Sequence, residues 1–203
     1  MTIEIKKSIK PVNYLDAIKT LEERVDKLNK NEANELIWIL EHPSTFTAGT
    51  SYKESEILDK SINIVKSSRG GKITWHGPGQ LICYLVINLN KRKKDIRNLV
   101  TQIENIIISF LKLYKIRSYS DRKNIGIWVK NKKIAAIGIR VSNWIAYHGF
   151  SINIKNNLSG YKKIVPCGLN NENITSIKKE KKITIKNIDF NLIKSFRKYL
   201  KKI

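Results

Sequence analysis

The densest group of residues that could do chemistry is the stretch RGGKITWHGPGQ at residues 69–80, which holds four of the chain's ten glycines. Glycine lets the backbone approach a ligand closely, and Gly-Pro-Gly forms a tight turn beside the imidazole of His76 and the amide of Gln80. The stretch matches neither G-x-G-x-x-G nor G-x-x-x-x-G-K-[ST], the glycine patterns that cradle phosphates. We therefore predict a ligand-binding loop that is not a phosphate loop; a structural hairpin is the alternative interpretation.

A cysteine in a turn is the candidate nucleophile. Cys167 lies between Pro166 and Gly168, and the glycine leaves the sulfur free of side-chain bulk on one side. A thiol with the ordinary pKa of about 8.5 is only a few per cent thiolate at pH 7, so activation requires a nearby cation or base. Cys83, by contrast, lies inside the apolar run LICYLVI, which predicts a small buried core residue.

Several side chains could activate Cys167, and the sequence around them does not select one. His42, His76 and His148 are all possible bases. Lys133 is the other candidate, because it opens an otherwise apolar strand in which its ammonium would be partly desolvated. The alternative is that Lys133 only ends a solvated lysine-rich turn. The cysteines and histidines show no ligand spacing such as C-x₂-C or H-x₃-H, so no metal site is predicted.

Helices and strands must position these residues. Apolar residues spaced three and four apart predict amphipathic helices over residues 11–28, 95–116 and 189–200. Apolar, β-branched and aromatic runs predict strands over residues 36–40, 62–65, 72–75, 81–89, 126–130, 133–141 and 145–154. Tight turns at Asn131-Lys132 and Ser142-Asn143 are predicted to join the last three strands, and residues 44–52 are predicted to form a loop. The order of elements predicts an α/β fold with a mixed or largely antiparallel sheet flanked by helices.

The composition limits the class of protein. The chain has 203 residues, a formal net charge of +22 and 41% hydrophobic residues, which is enough apolar surface for a core and excludes a disordered chain. We expect one domain over residues 1–203. No run approaches the roughly 18 to 20 apolar residues of a membrane helix, and the N-terminal residues do not resemble an export signal. A soluble, cytoplasmic protein is therefore expected.

The charge is unevenly distributed along the chain. Residues 1–60 carry a net charge of −2, whereas residues 61–203 carry +24. An acidic partner, either a protein or a nucleic acid, would explain the basic part. Compositional drift toward lysine, of which the chain has 31, is the alternative explanation.

The motifs together resemble one family. RGGKITWHGPGQ at residues 69–80 resembles the RGG-x-x-T-[YW]-HGPGQ signature of the lipoyl(octanoyl) transferases, and further blocks follow the family's order: EHP at 41–43, KIAAIGIR at 133–140, HGFSIN at 148–153 and PCG at 166–168. Two departures are visible. Ser151 stands where the family often has alanine, and ICYL at 82–85 replaces a commoner VGYP.

This resemblance implies a biotin/lipoyl protein ligase-like catalytic domain, with its core motifs in residues 30–203. It implies transfer of octanoyl from octanoyl-acyl carrier protein to a lysine of a lipoyl domain, in the 2-oxoacid dehydrogenase complexes or the glycine cleavage H protein. Cys167 would carry the octanoyl thioester, and Lys133 would favour its thiolate. No cofactor, ATP or metal is implied, and neither a nucleic acid nor a membrane. The implied substrate contacts are Arg69, Gly70, Gly71, Lys72, Ile73, Thr74, Trp75, His76, Ala136, Ile137, Gly138, Gly149, Phe150 and Ser151.

Two other functions remain open at this stage. An ATP-dependent lipoate or biotin protein ligase would share the fold, but such a ligase has no use for a nucleophilic cysteine. A basic nucleic-acid-binding protein would explain the charge, but the sequence has no recognition-helix motif and no RNP-like aromatic pattern. Acyl carrier proteins and lipoyl domains are typically acidic, so the resemblance supplies a protein partner for the basic part of the chain.

Overall fold

A seven-stranded sheet forms the centre of the computed structural model, which describes residues 3–122, 124–166, 173–182 and 185–202. With strands numbered in chain order, the spatial order is β1 (Ile3–Lys7), β2 (Glu35–Leu40), β6 (Gln80–Asn88), β10 (Ile145–Asn153), β9 (Lys132–Ser142), β8 (Ile127–Val129) and β7 (Tyr119–Ser120). β1 and β2 pair in parallel, and the other neighbours are antiparallel. The predicted mixed sheet is confirmed, although β1 and β7 were not predicted.

A second, three-stranded sheet packs beside the first. Its order is β4 (Ile64–Lys66), β3 (Thr45–Ala48) and β5 (Ile73–His76), with β3 and β4 parallel and β3 and β5 antiparallel. The prediction of a loop over residues 44–52 was wrong for β3. Four residues of the type TFTA give too short a pattern to predict a strand, and their pairing partner, β5, lies about thirty residues away in the sequence.

The three predicted helices are confirmed with shifted ends, as α1 (Tyr14–Asn29), α2 (Ile96–Leu113) and α4 (Ile188–Tyr199), and one turn of helix, α3 (Ile177–Glu180), was not predicted. Side-chain caps set two of the starts. Asn13 accepts a hydrogen bond from the backbone N–H of Leu15, and Asp95 accepts one from that of Asn98. Within the described residues, no helix has the length and apolar character to cross a membrane.

The helices cover both faces of the large sheet. Alternate residues of a strand point to opposite faces, so one face of β2 and β6 packs on α1 and the other packs on α2 and α4. Cys83 lies on the α2 face and is fully buried, and this burial raises the pKa of its thiol well above its ordinary value. The prediction that Cys83 is a core residue is confirmed.

Two tight turns connect β8, β9 and β10. Lys130 and Asn131 have φ angles of 47° and 64°, and Asn143 and Trp144 have φ angles of 49° and 59°. Two successive positive φ angles are typical of a type I′ hairpin turn. Both turns were predicted one residue away from their actual positions, because asparagine marks such a turn in the sequence without indicating which of its two central positions it occupies.

The apolar face of α2 should dominate the stability of the core. Phe110 is fully buried, whereas Leu113, on the same helix, is 46% exposed. We expect Phe110→Ala to lower the free energy of unfolding by about 3 to 5 kcal/mol through lost burial and a residual cavity. Leu113→Ala should cost less than about 1 kcal/mol. Urea unfolding measures both, and equal losses would contradict the packing described here.

Candidate active site

The segment of residues 69–71 packs against β9 of the large sheet at Gly138. Gly138 of β9 and Gly149 of β10 lie opposite each other in the strand register. A Cβ added to Gly138 would lie 3.2 Å from the carbonyl oxygen of Gly70 and 3.4 Å from Cδ of Arg69. A Cβ added to Gly149 would lie only 2.0 Å from the carbonyl oxygen of Cys83. The absence of a side chain at Gly138 therefore lets the loop pack on β9, and the absence of one at Gly149 lets β10 pack closely against β6.

Arg69 anchors this segment to the small sheet. Its guanidinium donates hydrogen bonds of 2.9 Å to both the carbonyl oxygen and Oγ1 of Thr47 in β3, and one of 3.1 Å to the carbonyl oxygen of Gly70. The backbone N–H groups of Thr50 and Ser51 donate to the carbonyl oxygens of Arg69 and Gly71. Arg69 thus holds the loop in place. Thr47 was missed by the sequence analysis because β3 was missed.

Three of the predicted substrate contacts have side chains that are already engaged within the protein. Lys72 forms an ion pair with Glu56, with 2.7 Å between Nζ and Oε1. Ile73 and Trp75 are buried in a small apolar cluster beneath the three-stranded sheet, and Trp75 also donates from Nε1 to Oγ of Ser44. A contact between Ile73 or Trp75 and a substrate would therefore use backbone atoms, and the contacts of all three residues stay predictions.

A chain of buried hydrogen bonds connects the HGPGQ turn to the strand of Lys133. Nδ1 of His76 donates to Oε1 of Gln80 at 2.8 Å, and Nε2 of Gln80 donates to Oδ1 of Asn153 at 2.9 Å. Asn153 in turn donates from Nδ2 to the carbonyl oxygen of Thr175, whose N–H donates to the carbonyl oxygen of Lys133; both bonds measure 3.0 Å. The turn and the lysine strand are thereby held in a fixed relation.

Lys133 is buried, with 6% of its surface exposed, and so does not merely end a solvated turn. The desolvation of its ammonium stays a prediction. Its Nζ lies 5.7 Å from the centroid of the Trp128 ring. None of the ion pairs formed between described residues includes it. A Cβ at Gly126, where φ is +146°, would lie 2.3 Å from Cε of Lys133, so this glycine leaves the space that the lysine occupies.

A register shift between β8 and β9 lies next to Lys133. Ile127 pairs with Ala135, but the next residue, Trp128, pairs with Lys133, which leaves Ile134 as an extra residue in β9. Such a β-bulge bends the strand locally and reorients side chains, and bulges are common beside active sites. The bulge could not be recognised in the apolar sequence of β9.

A small cavity lies beside Lys133 between the two sheets. Its volume is about 10 Å³, close to the minimum that one water molecule requires. The residues that line it are Thr74, Lys133, Ala135, Ala136, Ser151, Asn153, Tyr161, Pro166 and Ile174. Cys167 and Gly168, which follow Pro166 in the sequence, lie outside the described residues. The cavity thus brings three of the predicted substrate contacts together with Lys133, namely Thr74, Ala136 and Ser151.

Two other predicted contacts point away from this cavity. Ile137 and Phe150 form a cross-strand pair whose side chains pack into the core under α2, where Phe150 stacks on Phe196. Ala136 and Ser151, one residue along each strand, occupy the opposite face. Any contact of Ile137 or Phe150 with a substrate would therefore involve the backbone.

The three histidines of the chain are buried in one aromatic cluster with Tyr14 and Tyr84. His42 donates from Nδ1 to the carbonyl oxygen of Val12 and accepts at Nε2 from the hydroxyl of Tyr84. Burial lowers the pKa of all three imidazoles, to about 3 for His76 and for His148. All three are therefore neutral at pH 7. Neither ring nitrogen of His148 has a hydrogen-bond partner within the described residues.

Comparison with known proteins gives a consistent result. The Lipoyl protein ligase A/B catalytic domain family matches residues 13–197. An octanoyltransferase of Wolbachia sp. subsp. Brugia malayi (strain TRS) is 44% identical over 172 residues, which cover 82% of this chain and 84% of that protein. An octanoyltransferase of Anaplasma phagocytophilum (strain HZ) is 40% identical over 205 residues, which cover 98% and 99%.

A solved structure matches the fold. The crystal structure of lipoate-protein ligase A bound with ATP superimposes with a TM-score of 0.78, covering 99% of this chain and 86% of that chain at 14% identity. At this identity the match concerns the architecture alone, and it agrees with the predicted α/β sheet flanked by helices.

The buried histidines predict a pH-dependent stability. Unfolded histidine binds a proton below its ordinary pKa of 6.5, whereas His76 and His148 in the folded chain do so only near pH 3. Stability that is fully present above pH 6.5 is therefore lost as the pH falls toward 3, at about 1.4 kcal/mol per pH unit for each histidine. Urea unfolding between pH 7 and pH 5 should show this slope. His148→Gln should reduce it by one histidine's share, and an unchanged slope would refute the assignment.

Proposed function

The chain belongs to the lipoyl protein ligase A/B catalytic domain family, and we propose that it is an octanoyltransferase of protein lipoylation whose reaction proceeds through Cys167 and Lys133. One observation carries the assignment of residues. Lys133 is buried at a cavity that is also lined by Pro166, the residue before Cys167, in a chain at least 40% identical to the two octanoyltransferases described above.

In the first half of the reaction the thiolate of Cys167 attacks the carbonyl carbon of an octanoyl thioester on an acyl carrier protein. The bond between that carbon and the carrier sulfur breaks, and a thioester to Cys167 forms. The neutral amine of Lys133 takes the proton from the Cys167 thiol, the resulting ammonium stabilises the thiolate, and it then returns the proton to the departing carrier thiolate. A buried cation that pairs with no described carboxylate favours a neighbouring anion strongly, which supports this role.

In the second half the ε-amine of an acceptor lysine attacks the octanoyl thioester on Cys167. An amide bond forms, the Cys167 thiolate leaves, and the neutral form of Lys133 removes a proton from the attacking amine. The acceptor is a lipoyl domain of a 2-oxoacid dehydrogenase complex or the glycine cleavage H protein. A thioester donor is already activated, so the proposed reaction consumes no ATP.

The octanoyl chain would lie along the Ala136 and Ser151 face of β9 and β10. Burying about six methylenes provides roughly 5 kcal/mol, at about 0.8 kcal/mol each. The existing cavity is far smaller than the chain, so the residues that line it must move when the chain enters.

An ATP-dependent ligase is the alternative within the same fold. The likeness to the ATP-bound lipoate-protein ligase A is a likeness of architecture at 14% identity, whereas the octanoyltransferases are about 40% identical. Acyl transfer from a thioester donor in the absence of ATP would distinguish the two functions. The cytoplasmic location stays a prediction.

Covalent catalysis predicts a mass change of the protein itself. After mixing with octanoyl-acyl carrier protein, intact-mass analysis should detect one octanoyl group on the wild-type chain. Cys167→Ser should remove the adduct, while Cys83→Ala should retain it because Cys83 is buried under α2. A wild-type chain that transfers octanoyl without any adduct would contradict the thioester intermediate.

The role of Lys133 predicts a pH-dependent defect. Lys133→Ala should slow adduct formation more at pH 7 than at pH 9, because a thiol of ordinary pKa near 8.5 ionises at pH 9 without assistance. Lys132→Ala is the matched control, since Lys132 is exposed and adjacent in the sequence. Rates from quenched-flow mass analysis test this. An equal defect at both pH values would argue against proton transfer by Lys133.

A further inference from the structure

A basic cleft lies at the β7 end of the large sheet, outside the cavity of Lys133. Its volume is about 370 Å³, within the range of ligand-binding clefts. The residues that line it are Lys115, Ile116, Arg117, Tyr119, Val129, Lys130, Glu180 and Lys181, and we call this set the basic cleft.

The basic cleft concentrates positive charge. Its four cations, Lys115, Arg117, Lys130 and Lys181, are exposed, and none of them takes part in an ion pair between described residues. Its one carboxylate, Glu180, accepts a 2.7 Å hydrogen bond from Oγ1 of Thr175. Four cations around one cleft repel each other, and an acidic surface placed against them relieves this repulsion.

Two short structural connections link the basic cleft to Lys133, the candidate catalytic lysine. Lys130 begins the turn that leads into β9, three residues before Lys133. On the other side, Thr175 bonds both Glu180 and the backbone carbonyl of Lys133. Gly126 lies directly beside the ammonium of Lys133, because a Cβ built on Gly126 would lie 3.1 Å from Nζ. Ile125, the residue before it, is 52% exposed.

We infer that the basic cleft is the docking surface for the acceptor domain, an acidic domain that presents its lysine across Ile125 to the acyl group. The two partners of the proposed reaction differ in reach. A donor carrier delivers its acyl group on a long flexible prosthetic arm, so the carrier itself can dock at a distance. An acceptor lysine reaches only about 6 Å along its own carbon stem, so its domain must dock beside Lys133. Tyr119, which lines the cleft and is 45% exposed, supplies apolar contact area next to the charges.

This inference rests on the proposed function, and charge reversal tests it separately for each half of the reaction. Arg117→Glu with Lys130→Glu changes the cleft by four charge units. Lys30→Glu with Lys91→Glu is the matched control, because both lysines are exposed; Lys30 follows α1 and Lys91 follows β6, which lies toward the β1 end of the large sheet. The probe is an apo lipoyl domain of an acidic E2 subunit. Adduct formation from octanoyl-acyl carrier protein is measured in parallel.

The cleft variant should lower kcat/KM for the apo lipoyl domain by about tenfold or more at low salt, with a smaller loss at high salt, and leave adduct formation within about twofold of wild type. The control variant should change neither rate. An unchanged acceptor rate, an equal loss in the control, or an equal loss of adduct formation would each overturn the assignment. Titration of the apo domain onto Cys167→Ser chains, with and without the cleft substitutions, tests docking even if no adduct forms. An equal Kd for the chains with and without the cleft substitutions would also overturn the assignment.

Discussion

The side-chain amide of Gln80 joins the two sheets of this protein, and the geometry of the site depends on it. Gln80 is fully buried at the start of β6, and its amide contacts His76 of the small sheet, Asn153 of the large sheet and the hydroxyl of Tyr161. Each of these bonds lies in the interior, where an unsatisfied amide would cost about 1 to 3 kcal/mol. Because Asn153 leads on to Thr175 and Lys133, a change in the angle between the sheets would break this chain of bonds. The candidate catalytic lysine is thereby positioned by residues that do no chemistry themselves.

The parts of the fold that were predictable from the sequence depend on local periodicity. The apolar stripes of α1, α2 and α4 have a spacing that is specific to helices, and side-chain caps from Asn13 and Asp95 mark the beginnings of α1 and α2. The small sheet was not predicted as a sheet, since its strands are three or four residues long and pair across distant parts of the chain. The same limit explains why Thr47, the partner of Arg69, was missed.

The candidate site also contains some features that were predictable from the sequence and others that were not. The glycines at residues 69–80, 138 and 149 were recognisable in the sequence, and the structure shows that Gly138 makes room for the 69–71 loop while Gly149 makes room for the backbone of Cys83 in β6. The face on which each residue lies was not recognisable. Ile137 and Phe150 stand beside Gly138 and Gly149 in the sequence, yet strand alternation turns their side chains into the opposite core. The burial of Lys133 depends on the β-bulge at Ile134 and on the missing side chain of Gly126, and neither leaves a pattern in a lysine-rich stretch.

Under the proposed function, the smallness of the cavity beside Lys133 has a consequence for which acyl groups the site would accept. Opening a nearly filled space costs a fixed free energy, whatever the length of the chain that enters. The favourable free energy of burying the acyl chain grows with its length, at about 0.8 kcal/mol for each methylene. Short acyl groups then fail to offset the opening cost, so discrimination against them is a threshold and not a measurement of depth. A site with so small a cavity would thus set a lower limit on chain length, while the far wall of the opened site would set the upper one.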